Sequence, residues 1–345
     1  MPDPVLSVRN LAAVFDLPGG PATAVDAVSF DIAAGETLGL VGESGSGKSV
    51  TALSIVRLLR APGRVAGGSI LFNGRDLQTV SEREMRTVRG AQIGFVFQEP
   101  MTALDPVYTV GDQIIEALGV HGVASGRAAR TRANELLDAV RIPNAATRLN
   151  DYPHQFSGGM RQRVCIAIAI ACRPALLIAD EPTTALDVTI QAEILELLGD
   201  MRRTLGLAML LITHDLGVIA GTADRVAVMY AGRIVEQGAV RDVLRDPQHP
   251  YTRGLLASLP DARRGGRLQP IDGAVPTLGA FPPGCAFHPR CPQRFDPCST
   301  AAPEAFSAGH DRTSRCFLHD PRTESARQAT PAGRVRSTGD GHVTR

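Results

Sequence analysis

Apolar positions in the first hundred residues fall in short runs broken by glycine and proline, the spacing of strands and turns. Leu6 to Val14 and Val25 to Ile32 read as two antiparallel strands around the turn region Pro18 to Pro21. Thr37 to Val41 is a continuous apolar run of strand length that feeds a glycine-rich loop. Beyond it, Ser49 to Arg60 carries Leu53, Val56 and Leu59 at helical spacing, and Ile93 to Phe97 returns to a strand pattern. From about Pro100 to Pro153 the period is helical, with helices predicted over Val110 to Leu118 and Ala128 to Val140. An inserted helical subdomain over about 98–160 follows. Ala175 to Ala179 and Ala208 to Thr213 are apolar throughout, as strands of a parallel sheet buried on both faces are. The expected class is α/β. Beyond about Asp246 the composition shifts to Pro, Gly, Cys and His, and Pro321 to Arg345 lacks aromatics and nearly all apolar residues, which predicts a disordered tail. No tandem repeat is visible.

The chain has 345 residues, 44% apolar and 21% charged, enough for one large or two moderate domains. A net charge of +1 gives no broad electrostatic reason to expect nucleic acid or anionic lipid as a partner. The longest purely apolar run, Val164 to Cys172, is too short to cross a bilayer, and MPDPVLSVRN lacks the layout of a secretory signal. These features predict a cytosolic chain whose thiols stay reduced.

Only one of the 36 basic residues is a lysine, Lys48, and it lies inside GESGSGKS, Gly42 to Ser49. A phosphate loop needs a compact charge on a flexible stem, for which a planar guanidinium is too large. Gly42, Gly45 and Gly47 free backbone amides to ring phosphates, the following helix aims its positive end at the same anion, and Ser49 offers a hydroxyl to Mg²⁺. Glu43, Ser44, Ser46 and Val50 complete this loop and its first turn. The strand ALLIAD ends in Asp180, placed to hold Mg²⁺, and Glu181 follows as a general base for the attacking water. Phe156 to Arg163, FSGGMRQR, puts Ser157, Gly158 and Gly159 at the start of a helix running to about Cys172. That is a second anion-binding terminus, suited to a nucleotide held by another subunit. Gln98 ends the FVFQ strand, and His214 ends the LLITH strand where it reaches the γ-phosphate edge.

Taken in this order, the motifs resemble the ATP-binding subunits of ABC transporters. Walker A is Gly42 to Ser49, the Q-loop residue Gln98, the signature Phe156 to Met160, and Walker B Ala175 to Asp180 with Glu181 after it. The D-loop is Ala185-Leu186-Asp187 and the switch histidine His214. Phe156 and Met160 replace the family's usual leucine and glutamine, while Ser157, Gly158 and Gly159 are kept. The resemblance implies a P-loop NTPase (RecA-like) core with an antiparallel β subdomain and the helical insert, together spanning 1–245. It also implies that Asp187 belongs to the nucleotide contacts, that Gln98 joins Ser49 and Asp180 around Mg²⁺, and that an aromatic of the first hairpin, Phe15, stacks on adenine. Two such subunits close head to tail on two ATP molecules, each pocket pairing one Walker A with the other subunit's signature.

The segment HPYTRGLLASLP, His249 to Pro260, and PPGCAFHPRCPQRFDPC, Pro282 to Cys298, resemble the C-terminal extension of oligopeptide and dipeptide importer ATPases, here 246–320. The resemblance implies two transmembrane permease subunits, a second ABC ATPase as a heterodimer partner, an extracytoplasmic substrate-binding protein, and residence at the cytoplasmic face of the inner membrane. Peptide is the expected cargo, with nickel or another small solute as the alternative and a soluble non-transport ABC ATPase as the competing reading from another class. Cys285, Cys291, Cys298 and Cys316 are separated by five, six and seventeen residues. Those gaps match neither tight zinc pairs nor a ferredoxin run, so spacing leaves iron–sulfur, zinc and free thiols open. Resemblance to importer ATPases whose extension carries a [4Fe–4S] cluster favours iron–sulfur. Such a cluster is expected to order the extension and support assembly and to leave the phosphate chemistry untouched. Cys165 and Cys172, on the signature helix, are expected in core packing.

Overall fold

The computed structural model describes residues 3–184, 186–258 and 270–324. Ala185 of the D-loop and 325–345 of the expected tail lie outside the described residues. In chain order the strands are β1 (Leu6–Leu17), β2 (Gly20–Ile32), β3 (Thr37–Val41), β4 (Gly63–Phe72), β5 (Arg75–Asp76) and β6 (Ile93–Val96). They continue with β7 (Leu176–Asp180), β8 (Ala208–Thr213), β9 (Arg225–Tyr230), β10 (Arg233–Ala239), β11 (Phe306–Ser307) and β12 (Thr313–Ser314). One sheet, β2-β1-β4-β5, is antiparallel throughout. The other runs β11-β12-β10-β9-β3-β8-β7-β6; its pairs from β9 to β6 are parallel and those from β9 to β11 antiparallel.

The continuous apolar runs of the parallel strands are explained by two cores, one on each face. Leu38 and Leu40 of β3, Leu176 and Ile178 of β7, and Leu210 and Ile212 of β8 pack towards the antiparallel sheet. Their neighbours Val41, Leu177, Ala179, Met209 and Leu211 point the other way, among the helices. Side chains alternate across a strand, so a strand covered on both faces needs no polar position. Burying each such side chain contributes roughly 1.5–3 kcal/mol. Between β6 and β7 the chain forms helices Val110–Val120, Gly126–Ala139 and Gly158–Ile170. Val110, Ile114 and Leu118 share one buried stripe that meets Ala129, Ala133 and Leu136. No helix among the described residues is long and apolar enough to cross a membrane.

Two expectations need correction. The helix after the phosphate loop spans Lys48–Ile55, not as far as Arg60, because Arg57 turns into left-handed backbone at φ 53°. The expected disordered tail begins with a packed 3-10 turn, Pro321–Thr323, in which the buried Thr323 hydroxyl donates to the Phe317 carbonyl at 2.7 Å. The segment after residue 246 also joins the larger sheet: β12 pairs with β10, Glu236 opposite Ser314 and Gln237 opposite Thr313.

Candidate functional site

The carboxyl end of β3 runs into the phosphate loop, whose glycines serve different ends. A Cβ on Gly42 would stand 2.1 Å from the Met229 carbonyl of β9, so this glycine lets the loop rest on the sheet. Gly47, at φ 102°, starts the helix in a conformation that side chains resist, and a Cβ there would stand 2.8 Å from the Ala24 carbonyl. Gly45, at φ 79°, has open space around it, as expected where a ligand approaches the backbone. Lys48 is 4% exposed, and its Nζ donates to the carbonyls of Gly42 (2.8 Å) and Glu43 (3.0 Å) and to Ser46 Oγ (3.4 Å). Burial lowers its pKa, opposed by the charges of Glu181, Asp180 and Glu43. Arriving phosphates would take this ammonium over from loop carbonyls.

Ser49 Oγ donates to Asp180 Oδ1 at 3.1 Å. Burial pushes the Asp180 carboxyl above its usual range and Glu181 adds to that, while Ser49 and Lys48 oppose it. A hydroxyl, a carboxylate and the nearby Gln98 amide form an all-oxygen donor set, which fits Mg²⁺, and a divalent cation would offset the carboxylate charge. Next to them Glu181 sits in left-handed backbone at φ 46°. Its Oε2 accepts from Thr184 Oγ1 (2.8 Å) and Gln98 Nε2 (3.3 Å), and His214 Nδ1 stands 3.4 Å away. Three polar side chains from separate segments therefore converge on one carboxylate oxygen. Thr184 was not singled out in the sequence; its only signal is a hydroxyl three residues after Glu181.

A cavity of about 500 Å³ opens over this loop, lined by Phe15, Ser44, Gly45, Gly47, Lys48, Ser49, Val50, Gln98 and Glu181. Ser157, Gly158, Gly159 and Asp187 are not in its lining. Ser157 instead caps helix Gly158–Ile170 by accepting from the Met160 N–H. A Cβ on Gly159 would stand 2.6 Å from Ile190 Cγ2, so the signature packs on helix Val188–Leu205, which Asp187 caps. Among the described residues, the signature thus stands apart from its own chain's phosphate cavity.

The C-terminal extension also reaches the phosphate loop. Val275, Pro276, Thr277, Leu278 and Phe281 line the same cavity. Glu43 is held from outside the loop: its carboxylate accepts from Arg290 Nη1 (2.8 Å) and Nη2 (3.0 Å), and its N–H donates to the Tyr251 hydroxyl (2.9 Å). That amide faces the extension rather than the cradle. Tyr251 and Arg290 lie within the two segments that carry the extension's resemblance, but nothing in those segments signals a contact with Glu43.

The four tail cysteines share one neighbourhood. Cys298 packs with Phe295 and Phe317, Cys285 lies against them, and Cys291 packs on the larger core. Burial, and then the neighbouring thiols, push Cys316 up to about 12 and Cys291 up to about 11. The donor set suits a soft metal in kind. Among the described residues, however, no three His, Cys, Asp or Glu side chains stand close enough to hold a metal ion. Cys165 is buried with its thiol pushed up to about 12, and Cys172 packs against the same core.

Comparison with known proteins bears on each part. Residues 25–184 match the family described as "ABC transporter", and residues 235–298 match "Oligopeptide/dipeptide transporter, C-terminal region". The chain is 53% identical over 324 residues to the dipeptide transport ATP-binding protein DppD of Bacillus subtilis, covering 93% of this chain and 97% of that one. It is 51% identical over 315 residues to the oligopeptide transport ATP-binding protein OppD of Salmonella typhimurium, covering 91% and 93%. A dimeric structure of the ATP-binding cassette MJ0796 with ADP and Pi superimposes with a TM-score of 0.62 at 28% identity, over 68% of this chain and 99% of that one. The structure of cbiO1 from Clostridium perfringens gives 0.61 at 28% identity, over 71% and 92%. With half its residues shared along nearly the whole length of such relatives, this chain belongs to the ABC transporter ATPases, in the branch that carries the oligopeptide/dipeptide transporter C-terminal region.

Proposed function

We propose that this chain is the ATP-hydrolysing subunit that powers import of dipeptides or oligopeptides across the cytoplasmic membrane. The names of its relatives specify peptides, which favours peptide over nickel as cargo. It works at the cytoplasmic face of the inner membrane, attached to two transmembrane permease subunits and served by an extracytoplasmic substrate-binding protein. A second ABC ATPase, a paralogue in our reading, supplies the facing half of each pocket. The separation of Ser157, Gly158 and Gly159 from the cavity over Lys48 supports that arrangement. In this reading 1–245 is the nucleotide-binding unit and 246–320 the extension docked on it.

The observation that carries the reading is the convergence on Glu181 beside the Ser49–Asp180 pair. Lys48 and the loop amides of Gly45, Gly47 and Ser49 bind the phosphates of ATP, and Phe15 flanks the base. Ser49, Asp180 and Gln98 would hold Mg²⁺, which would neutralise charge on the phosphates. Glu181 accepts the proton of the attacking water, with Gln98, Thr184 and His214 fixing the carboxylate for an in-line approach. Asp187 and the signature serve the partner's pocket. Glu181→Gln keeps shape but loses the base: ATP binding persists, and hydrolysis in the assembled transporter falls by roughly 10²-fold or more. Hydrolysis near the wild-type rate would overturn this role.

The finer reading of the extension is that Cys285, Cys291, Cys298 and Cys316 hold a [4Fe–4S] cluster, with zinc as the alternative. Cys285 and Cys298 in one apolar cluster, with Cys291 and Cys316 near enough to act on them electrostatically, support it, although the four must draw closer to act as ligands.

A further inference from the structure

Glu43 occupies the second position of the phosphate loop, where a polyanion is to be received, and a carboxylate there is a like charge. It is held on every side. Its carbonyl accepts from Lys48 Nζ (3.0 Å) and the Ser46 N–H (3.2 Å), its N–H goes to Tyr251, and its carboxylate takes both ends of the Arg290 fork. The Arg290 side chain is only 6% exposed. The same guanidinium donates to the carbonyls of Asp272 (2.9 Å) and Ile271 (3.3 Å), just before the segment that walls the cavity at 275–281. It also lies over the Tyr230 ring, 5.8 Å from its centroid, and Tyr230 packs on Tyr251 with centroids 4.6 Å apart. A planar, bidentate cation is thus fixed between the loop, the cavity wall and an aromatic floor.

We propose that Arg290 is a positioning residue for the nucleotide that acts through Glu43: its guanidinium cancels a carboxylate charge that would repel phosphate. The C-terminal extension thereby completes the ATP site of its own chain. The inference rests on the reading of this site as an ATP site. A bidentate pair that merely docks the extension would break equally whichever partner is changed. A charge-cancelling pair gives opposite signs: removing the cation bares a carboxylate beside the phosphates, and removing the carboxylate bares a cation.

The test is a titration of the full-length chain with MgATP, MgADP and AMP, alongside thermal denaturation to confirm folding. Arg290→Gln weakens MgATP binding on the order of tenfold, less at high salt and least for AMP, because repulsion scales with phosphate charge and is screened. Glu43→Gln tightens MgATP binding by about threefold although it breaks the same pair. The double variant Arg290→Gln/Glu43→Gln recovers to within about threefold of wild type. Equal losses in both single variants, or a double variant no better than Arg290→Gln, would overturn the inference. If Arg290→Gln does not fold, the sign of the Glu43→Gln effect decides alone, and weakening there overturns the inference. A wild-type chain that binds no MgATP would instead sink the ATP-site reading itself.

Discussion

His249 should make the docking of the extension acid-labile. It is 1% exposed and caps helix Pro250–Ala257, its Nδ1 accepting from the Tyr251 N–H at 3.0 Å. That bond requires a neutral ring. Burial drives its pKa down from 6.5 to about 3, with His319 and Arg253 adding to the shift and the Arg315 carbonyl opposing it. Between these two values the unfolded chain binds a proton that the folded chain refuses. Stability is therefore full above the unfolded value and falls as pH drops below it, levelling off near the folded value. At pH 4.5, two units below the unfolded value, the cost is about 3 kcal/mol. That is a large share of the roughly 5–15 kcal/mol by which domains are stable. Urea unfolding of the full chain across this pH range, followed by circular dichroism, measures it. The reference is His249→Asn, whose side-chain oxygen also caps a helix but does not titrate. Carboxylates held low, such as Glu84 and Asp31, lose stability in acid in both proteins and cancel in the comparison. The wild-type and variant stabilities should diverge by about 3 kcal/mol between pH 7.5 and 4.5, the variant gaining relative to wild type in acid. Parallel curves would refute the argument.

Lys48→Ala removes the one ammonium of the phosphate loop, and nucleotide titration should show ATP binding lost; near-normal affinity would dissolve the assignment of this loop. Protein purified without oxygen should be brown and hold about four irons per chain. Serine at Cys285, Cys291, Cys298 or Cys316 should bleach it, while Cys165→Ser and Cys172→Ser should not. Colourless protein with about one zinc points to a Cys₄ site, and metal-free protein with four alkylatable thiols removes both readings.

The nucleotide motifs were legible because each joins a backbone demand to a residue type at fixed spacing. Gly47 is where a left-handed turn must start a helix, and Asp180 is where an apolar strand must end. The strands β3 and β8 were legible to the residue, since a strand covered on both faces leaves an unbroken apolar run. What stayed hidden is tertiary. Arg290 and Tyr251 meet Glu43 across some two hundred residues of chain, a distance that no local pattern encodes. Thr184 looks like any hydroxyl after a proline until Glu181 adopts its positive φ and brings the carboxylate over it. The glycines were seen but only partly explained: Gly42 answers to the Met229 carbonyl behind the loop, which only the folded sheet reveals.

The solitary lysine has a practical consequence. A protease that cuts only after lysine has one peptide bond to attack in the whole chain, and that bond lies in the first turn of a packed helix. Its side chain is 4% exposed and tied to loop carbonyls, so the bond yields only when the loop and that turn open together. The appearance of two fragments is therefore a clock for local opening at the phosphate loop, built into the natural sequence without any label. Nucleotide should slow that clock by holding the ammonium in place, and the factor by which it slows reports how far ligand binding suppresses the opening.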